Sequence, residues 1–167
     1  YDSNTGYLAN DGDRFILQTD FNSPTGRLVQ LSLQDPSSEK WVNLIPESEN
    51  VLSANTGGGK IFASYLVDAK TKVLQYDLKG NLEREVALPG IGTASGFGAD
   101  DDAKSFYYSF TSFTSPGSVF NYNIESGEST LYEKPDIQFN AEDYVTEQVF
   151  YESKDGTRVP MFIVHKK

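Results

Sequence analysis

The sequence predicts an all-β fold made of repeated four-stranded units, and three observations carry that reading. Apolar residues alternate with polar ones at period two in stretch after stretch, among eleven Phe, ten Tyr and one Trp, as expected for half-buried strands. Helical periodicity is nearly absent, because Gly and Pro interrupt any three-turn apolar stripe, leaving room for one short helical turn near Asn140 to Tyr144. The third observation is an internal repeat. The strand around Phe15-Ile16-Leu17 recurs at Ile61-Phe62-Ala63 and Phe106-Tyr107-Tyr108, at spacings of 46 and 45 residues. The strand Leu28 to Leu33 recurs at Val73 to Leu78 and Val119 to Ile124, at spacings of 45 and 46. Two independent strands agree on a period of the length that marks β-propeller blades.

The rest of each unit follows in chain order. A strand of small residues opens it, at Thr5 to Ala9, Leu52 to Gly57 and Thr93 to Ala99, as suits the crowded innermost position. Asn10-Asp11-Gly12-Asp13, Gly57-Gly58-Gly59 and Asp100-Asp101-Asp102 then supply turns between the first and second strands. Lys79-Gly80-Asn81 and Glu125-Ser126-Gly127-Glu128 turn between the third and fourth. An edge-like strand closes each unit on a proline, at Trp41 to Pro46, Leu82 to Pro89 and Ser129 to Pro135, where a residue with no ladder donor is tolerated. The expected blades span residues 1–48, 49–90 and 91–136. Residues 137–143 read as a linker and 144–167 as a hairpin around Asp155-Gly156, with no further strand to complete a blade.

A ring of typically 4 to 8 blades covers nearly all of its apolar faces, and three blades cannot close. The expectation is therefore an incomplete propeller that needs more chain, or a fragment that self-associates through its open faces. The start Tyr1-Asp2-Ser3-Asn4 lacks an initiator Met or a leader and reads as cut from a longer chain.

The 167 residues carry 14 Lys and Arg against 24 Asp and Glu, a net charge of −10, which argues against nucleic-acid and membrane-surface partners. No apolar run approaches the about 20 residues of a membrane helix, so a soluble chain is expected, with cytoplasm, periplasm and secretion all left open. The absence of cysteine removes disulfides, thiolate catalysis and Cys-based zinc sites.

Several motifs imitate chemistry. Gly92-Thr93-Ala94-Ser95-Gly96 has neither the spacing nor the strand-to-helix turn of a nucleophile elbow, and its small residues suit an inner strand. His165, the single histidine, ends an amphipathic strand beside Lys166 and Lys167, where a solvated side chain is expected rather than a general base. Asp100-Asp101-Asp102 offers oxygens to a hard cation but lacks a calcium-loop pattern, so a solvated turn is expected. Gly57-Gly58-Gly59-Lys60 lacks the first Gly and the Ser/Thr of a phosphate loop, and no helix comes after it. Phe106, Tyr107, Tyr108, Phe110 and Phe113 are expected to fill space between blades rather than stack on ligands. No catalytic, cofactor-binding or metal-ligating residue is assigned, and no cofactor is expected.

The run Phe106-Tyr107-Tyr108-Ser109-Phe110-Thr111-Ser112-Phe113-Thr114-Ser115-Pro116-Gly117 resembles the last propeller blade of prolyl oligopeptidases. The tail from Gln148 to Lys167 is similar to the segment that re-enters their α/β-hydrolase domain. Asn55-Thr56-Gly57-Gly58-Gly59 and Ala94-Ser95-Gly96-Phe97-Gly98 extend the likeness over nearly the whole chain. The resemblance implies a seven-bladed propeller inserted into a hydrolase domain, with Ser, Asp and His supplied beyond residue 167 and none of them here. It further implies a serine endopeptidase that cleaves short peptides after proline through an acyl-enzyme, this segment serving as the cap that restricts entry and docking on the remaining blades and the hydrolase domain. Oligopeptidase B shares that architecture but cuts after basic residues, and a non-catalytic propeller module that binds peptide or carbohydrate is the other alternative. WD40 identity does not fit, since Trp41 is followed by Val42.

Overall fold

The computed structural model describes residues 3–138 and 140–167. Tyr1, Asp2 and Phe139, which the expected blade and linker boundaries include, lie outside the described residues. Three four-stranded antiparallel sheets succeed one another in the chain. The first blade holds β1 (Thr5–Asp11), β2 (Arg14–Thr19), β3 (Arg27–Ser32) and β4 (Val42–Ile45). The second holds β5 (Leu52–Gly57), β6 (Lys60–Val67), β7 (Lys70–Asp77) and β8 (Leu82–Glu85). The third holds β9 (Thr93–Ser95), β10 (Ser105–Thr111), β11 (Ser118–Asn123) and β12 (Ser129–Glu133). Each blade meanders from first to fourth strand, so the first strand lies on one edge and the fourth on the other. β13 (Tyr144–Glu152) and β14 (Arg158–Lys166) pair separately as a two-stranded hairpin.

Because side chains alternate across a strand, a blade covered on both faces buries consecutive residues. The middle blade does so. Ile61 and Ala63 point into a cluster with Ala9, Ile16, Leu28, Ile45 and Leu52 on the first-blade side, whereas Phe62 between them joins Phe106, Tyr108, Phe110 and Tyr122 on the third-blade side. In the first blade burial of consecutive residues is confined to β3, where adjacent Leu28 and Val29 are both buried, and the third blade is one-sided. Along β10 burial alternates residue by residue, with Phe106, Tyr108 and Phe110 inward and Tyr107 outward against Tyr132 at 4.6 Å. The second seam is aromatic: Phe62 meets Phe106 edge-on at 4.9 Å, and Phe97 stacks on Tyr108 at 4.8 Å. Such contacts contribute about 0.5–1.5 kcal/mol each beyond area burial.

Side-chain amides join the seams. At the first, the Gln18 amide acts like an extra peptide group, donating to the Leu52 carbonyl and accepting from the Ala54 amide, both at 3.0 Å. At the second, fully buried Gln75 accepts from the Tyr122 hydroxyl at 2.6 Å and donates to Glu83 at 2.8 Å and to the Ile124 carbonyl at 3.2 Å. Burial works against the charged Glu83 carboxyl, but its hydrogen bonds from Lys60 and Gln75 prevail and hold it below the usual carboxylate range.

The repeat extends into turn chemistry. Ser32, Asp77 and Asn123 end the third strand of their blades, and each side chain accepts from the backbone of the next turn. Gly80 and Gly127, in the turns after β7 and β11, adopt φ of +82° and +78°. Each also lies against the preceding blade: a Cβ on Gly80 would sit 2.7 Å from the Leu44 carbonyl oxygen, and one on Gly127 would sit 2.2 Å from Arg84.

Some elements differ from expectation. The fourth strands end at Ile45, Glu85 and Glu133, so Pro46, Pro89 and Pro135 come after the ladders rather than close them. The third inner strand stops at Ser95, because Gly96 turns away with φ +96° and Phe97 drops into the seam. The helical turn expected near Asn140 is a 3₁₀ turn at Ala141–Asp143, capped by the Asn140 side chain accepting from the Glu142 amide. Another at Ser38–Lys40 has no counterpart in the other blades.

Replacing Gln75 with Ala leaves the Tyr122 hydroxyl and Glu83 short of a buried partner, and denaturant unfolding should show a loss of about 2–4 kcal/mol. Tyr65, whose hydroxyl burial pushes up to about 12, tests linkage. The unfolded chain releases that proton near pH 10 and the folded chain near 12, so this contribution is intact below pH 10 and lost as pH rises toward 12. Thermal melts across that interval should fall less steeply for Tyr65→Phe than for the parent chain.

Candidate functional site

The inner strands β1, β5 and β9 expose a polar strip. Leu52 and Ala54 are buried and alternate with exposed Ser53 and Asn55, and Ala94 alternates with exposed Thr93 and Ser95. Neighbouring blades take up much of the outer edge of β5: the Leu52 amide donates to the Thr25 carbonyl at 2.8 Å, the Ala99 amide to Thr56 at 2.9 Å, and the Gly58 amide to Asp100 at 2.9 Å.

A cleft of about 600 Å³ opens between the first two inner strands, lined by Asn4, Tyr7, Asp20, Pro24, Val51 and Asn55 among others. It lies at the end of the blades that carries the β2–β3 turn. The Tyr7 ring is exposed and donates its hydroxyl to Asn10 at 2.7 Å. Hydrogen bonds from the Asn4 side chain and backbone hold the Asp20 carboxyl below its ordinary range, so the cleft keeps a fixed negative charge. A carboxylate, amides and an aromatic ring form a polar, hydrogen-bonding wall.

The motif residues occupy structural positions. Ser95 sits opposite Ser109 in the β9–β10 ladder. His165 pairs with Val145 on the hairpin, its ring Nδ1 2.9 Å from the Lys166 carbonyl. The Asp100 carbonyl accepts from Gly58 and Ala103, and among the described residues no group of three or more His, Cys, Asp or Glu side chains could hold a metal ion. Lys60 pairs with Glu83. Gly57, Gly58 and Gly98 belong to one close contact: a Cβ would sit 2.7 Å from the Ala99 amide nitrogen at Gly57, 2.4 Å from the Ala103 carbonyl oxygen at Gly58 and 3.3 Å from Asn55 at Gly98. The two glycine-containing motifs of the sequence thus meet across the second seam. Aromatic packing needs one correction, since Tyr107 and Phe113 are 53% and 63% exposed. Tyr107 takes the outward alternation of β10, and Phe113 lies past its end, where it touches Phe162 of the hairpin at 5.2 Å.

Sequence reasoning missed Gln18 and Gln75. Gln75 carried a signal, because it falls on the same strand face as buried Val73, and a polar residue there needs a buried partner.

Consecutive four-stranded blades with contacting inner strands define this chain as a segment of a β-propeller. The profile described as "Prolyl oligopeptidase, N-terminal beta-propeller domain" matches residues 1–135, and the chain belongs to that family. It is 47% identical over 167 residues to the prolyl endopeptidase of Elizabethkingia miricola, covering 100% of this chain and 24% of the relative. It is 32% identical to the prolyl endopeptidase of Dictyostelium discoideum, covering 96% of this chain and 23% of that protein. A solved structure from a mechanistic study of two prolyl endopeptidases superposes with a TM-score of 0.86 at 39% identity, covering 100% of this chain and 25% of its own. The chain therefore spans about a quarter of the length of the curated relatives it matches. Among the described residues, no helix is long and apolar enough to cross a membrane.

Gly58→Ala adds a methyl group at φ +58° against the Ala103 carbonyl. The expected cost is about 2–3 kcal/mol from overpacking and left-handed strain, read from denaturant midpoints, and Gly12→Ala, with no atom within 4 Å of the added Cβ, should lose less.

Proposed function

We propose that this chain is the propeller cap of a serine-type prolyl endopeptidase and does not itself carry the catalytic triad. The observation that carries the reading is sequence identity to prolyl endopeptidases along the whole chain, hairpin included. In this reading the propeller ends near residue 136, residues 137–143 link it onward, and the hairpin begins an α/β-hydrolase domain whose remainder lies beyond Lys167. The polar wall of the inner strands guides short proline-containing peptides, and blade packing excludes folded proteins.

The division of labour follows from the chemistry required. Acyl transfer needs a nucleophile within hydrogen-bond reach of a base and donors for the developing oxyanion. The single histidine lies on the hairpin beside its own Lys166 carbonyl, and Ser95 lies within a strand ladder, which supports assigning the chemistry elsewhere. The open faces of the first and third blades are then the surfaces that receive further blades.

A glycyl-prolyl chromogenic peptide tests this. The longer protein should turn it over and retain turnover within about two-fold in Ser95→Ala, whereas the 167-residue chain alone should be inactive. Cleavage only after basic residues would favour the oligopeptidase B alternative, and loss of turnover in Ser95→Ala with the fold intact would refute the assignment.

A further inference from the structure

We propose that a single rung of the hairpin, Gln148 opposite Phe162, is the point at which the hairpin is strapped to the propeller, and that both are positioning residues that set how the hairpin sits on the blades. These two residues are the central pair of the β13–β14 ladder, and directly opposed residues project from the same face. Each reaches a different blade. The Gln148 side-chain amide donates to the Asp68 carbonyl at 2.6 Å, across 80 residues of sequence, and Phe162 packs on Phe113 at 5.2 Å.

Both receiving groups are displayed rather than incidental. Asp68 and Ala69 form the two-residue turn between β6 and β7, with φ of 49° and 62°. That primed geometry leaves the tip outside the ladder, where the Asp68 carbonyl can take an outside donor. Phe113 is in the loop between β10 and β11 and remains 63% exposed despite its contact. The rung therefore bridges blades two and three on the end of the propeller that also carries the inner cleft.

A cavity of about 360 Å³ lies between Thr114, Pro116 and Ser118 on one side and Lys134, at the end of the third blade, with the linker residues Ile137 and Ala141 on the other. On the opposite hairpin face Met161 and Ile163 are 42% and 39% exposed, available to whatever packs above. The strap thus sets where the hairpin sits on blades two and three. Its consequence for substrate entry rests on the function proposed above.

A two-stranded hairpin alone is marginally stable, so the strap is what keeps this one ordered in the chain. Hydrogen–deuterium exchange on the full 167-residue chain should accelerate at least ten-fold across residues 144–152 and 158–166 in the Phe113→Ala, Gln148→Ala double variant. Amides of β6, β7, β10 and β11 should be unchanged. Unchanged hairpin exchange overturns the strap. Should the double variant lose its blades as well, Phe113→Cys with Phe162→Cys decides: a short bifunctional thiol reagent links them in this cysteine-free chain if the contact exists, and failure to link overturns it. In the longer protein, Gln148→Ala should raise the turnover of a long proline-containing peptide relative to a short one about five-fold. An unchanged ratio refutes the effect on entry, whereas absence of any peptidase activity refutes the function reading and leaves the exchange result standing.

Discussion

Ile61, Phe62 and Ala63 are consecutive in β6 and all fully buried. A strand side by side with its sheet neighbours can achieve this only when both faces of the sheet are covered, because successive side chains point to opposite faces. The burial of blade two by blades one and three is the interaction on which the rest of the structure depends. It fixes the register of each outer blade, since a one-residue slip in β10 would turn Phe106, Tyr108 and Phe110 outward and leave Phe62 without its partners. It also explains why the third blade keeps exposed Tyr107 on the far side of β10 while β6 of the middle blade is buried on both faces.

The two seams meet this demand differently. The first is filled by aliphatic and small residues such as Ala9, Ile16, Leu28 and Ala54, and the Gln18 amide continues the hydrogen bonding of β5 toward blade one. The second is filled by aromatic rings, with a buried hydrogen-bonded node at Gln75 and several backbone contacts between the β5 end and residues 99–103. Fully satisfied polar nodes make a seam specific, because any sliding of one blade against another leaves groups unpaired in a low-dielectric interior. Blades two and three therefore form the more tightly defined pair, and it is this pair that receives the hairpin.

Blade number, strand order and turn placement were legible because they rest on local periodicity. Alternation within a strand and recurrence of Leu28 to Leu33 at Val73 and Val119 depend only on what a blade needs internally. Even the capping equivalence of Ser32, Asp77 and Asn123 lies at the same spacing, visible once the repeat is aligned, although the residue types differ because each can accept from a turn amide. What sequence could not supply was the contact partner across blades. Gln18 and Gln75 lie at different places in the repeat and perform related work, so no periodic signal links them. The role of Phe113 was hidden for the same reason, since its partner Phe162 stands outside the repeat altogether.

The segments that imitated catalytic motifs illustrate a more general difficulty. Gly57-Gly58-Gly59-Lys60, Asp100-Asp101-Asp102 and the small-residue run around Ser95 all belong to the second seam near the propeller centre, where backbones approach most closely. Close backbone approach selects glycine, and tight hairpins select glycine and aspartate. The same residue types serve phosphate loops and nucleophile elbows because those sites also require backbone exposed without Cβ obstruction. Composition alone cannot separate the two uses. The next element in the chain can: a phosphate loop and a nucleophile elbow both lead into a helix N-terminus, whereas each of these segments leads into a strand or a seam contact. A glycine whose missing Cβ is occupied by a neighbouring blade, as at Gly58, has its conformation explained by packing before any ligand is invoked.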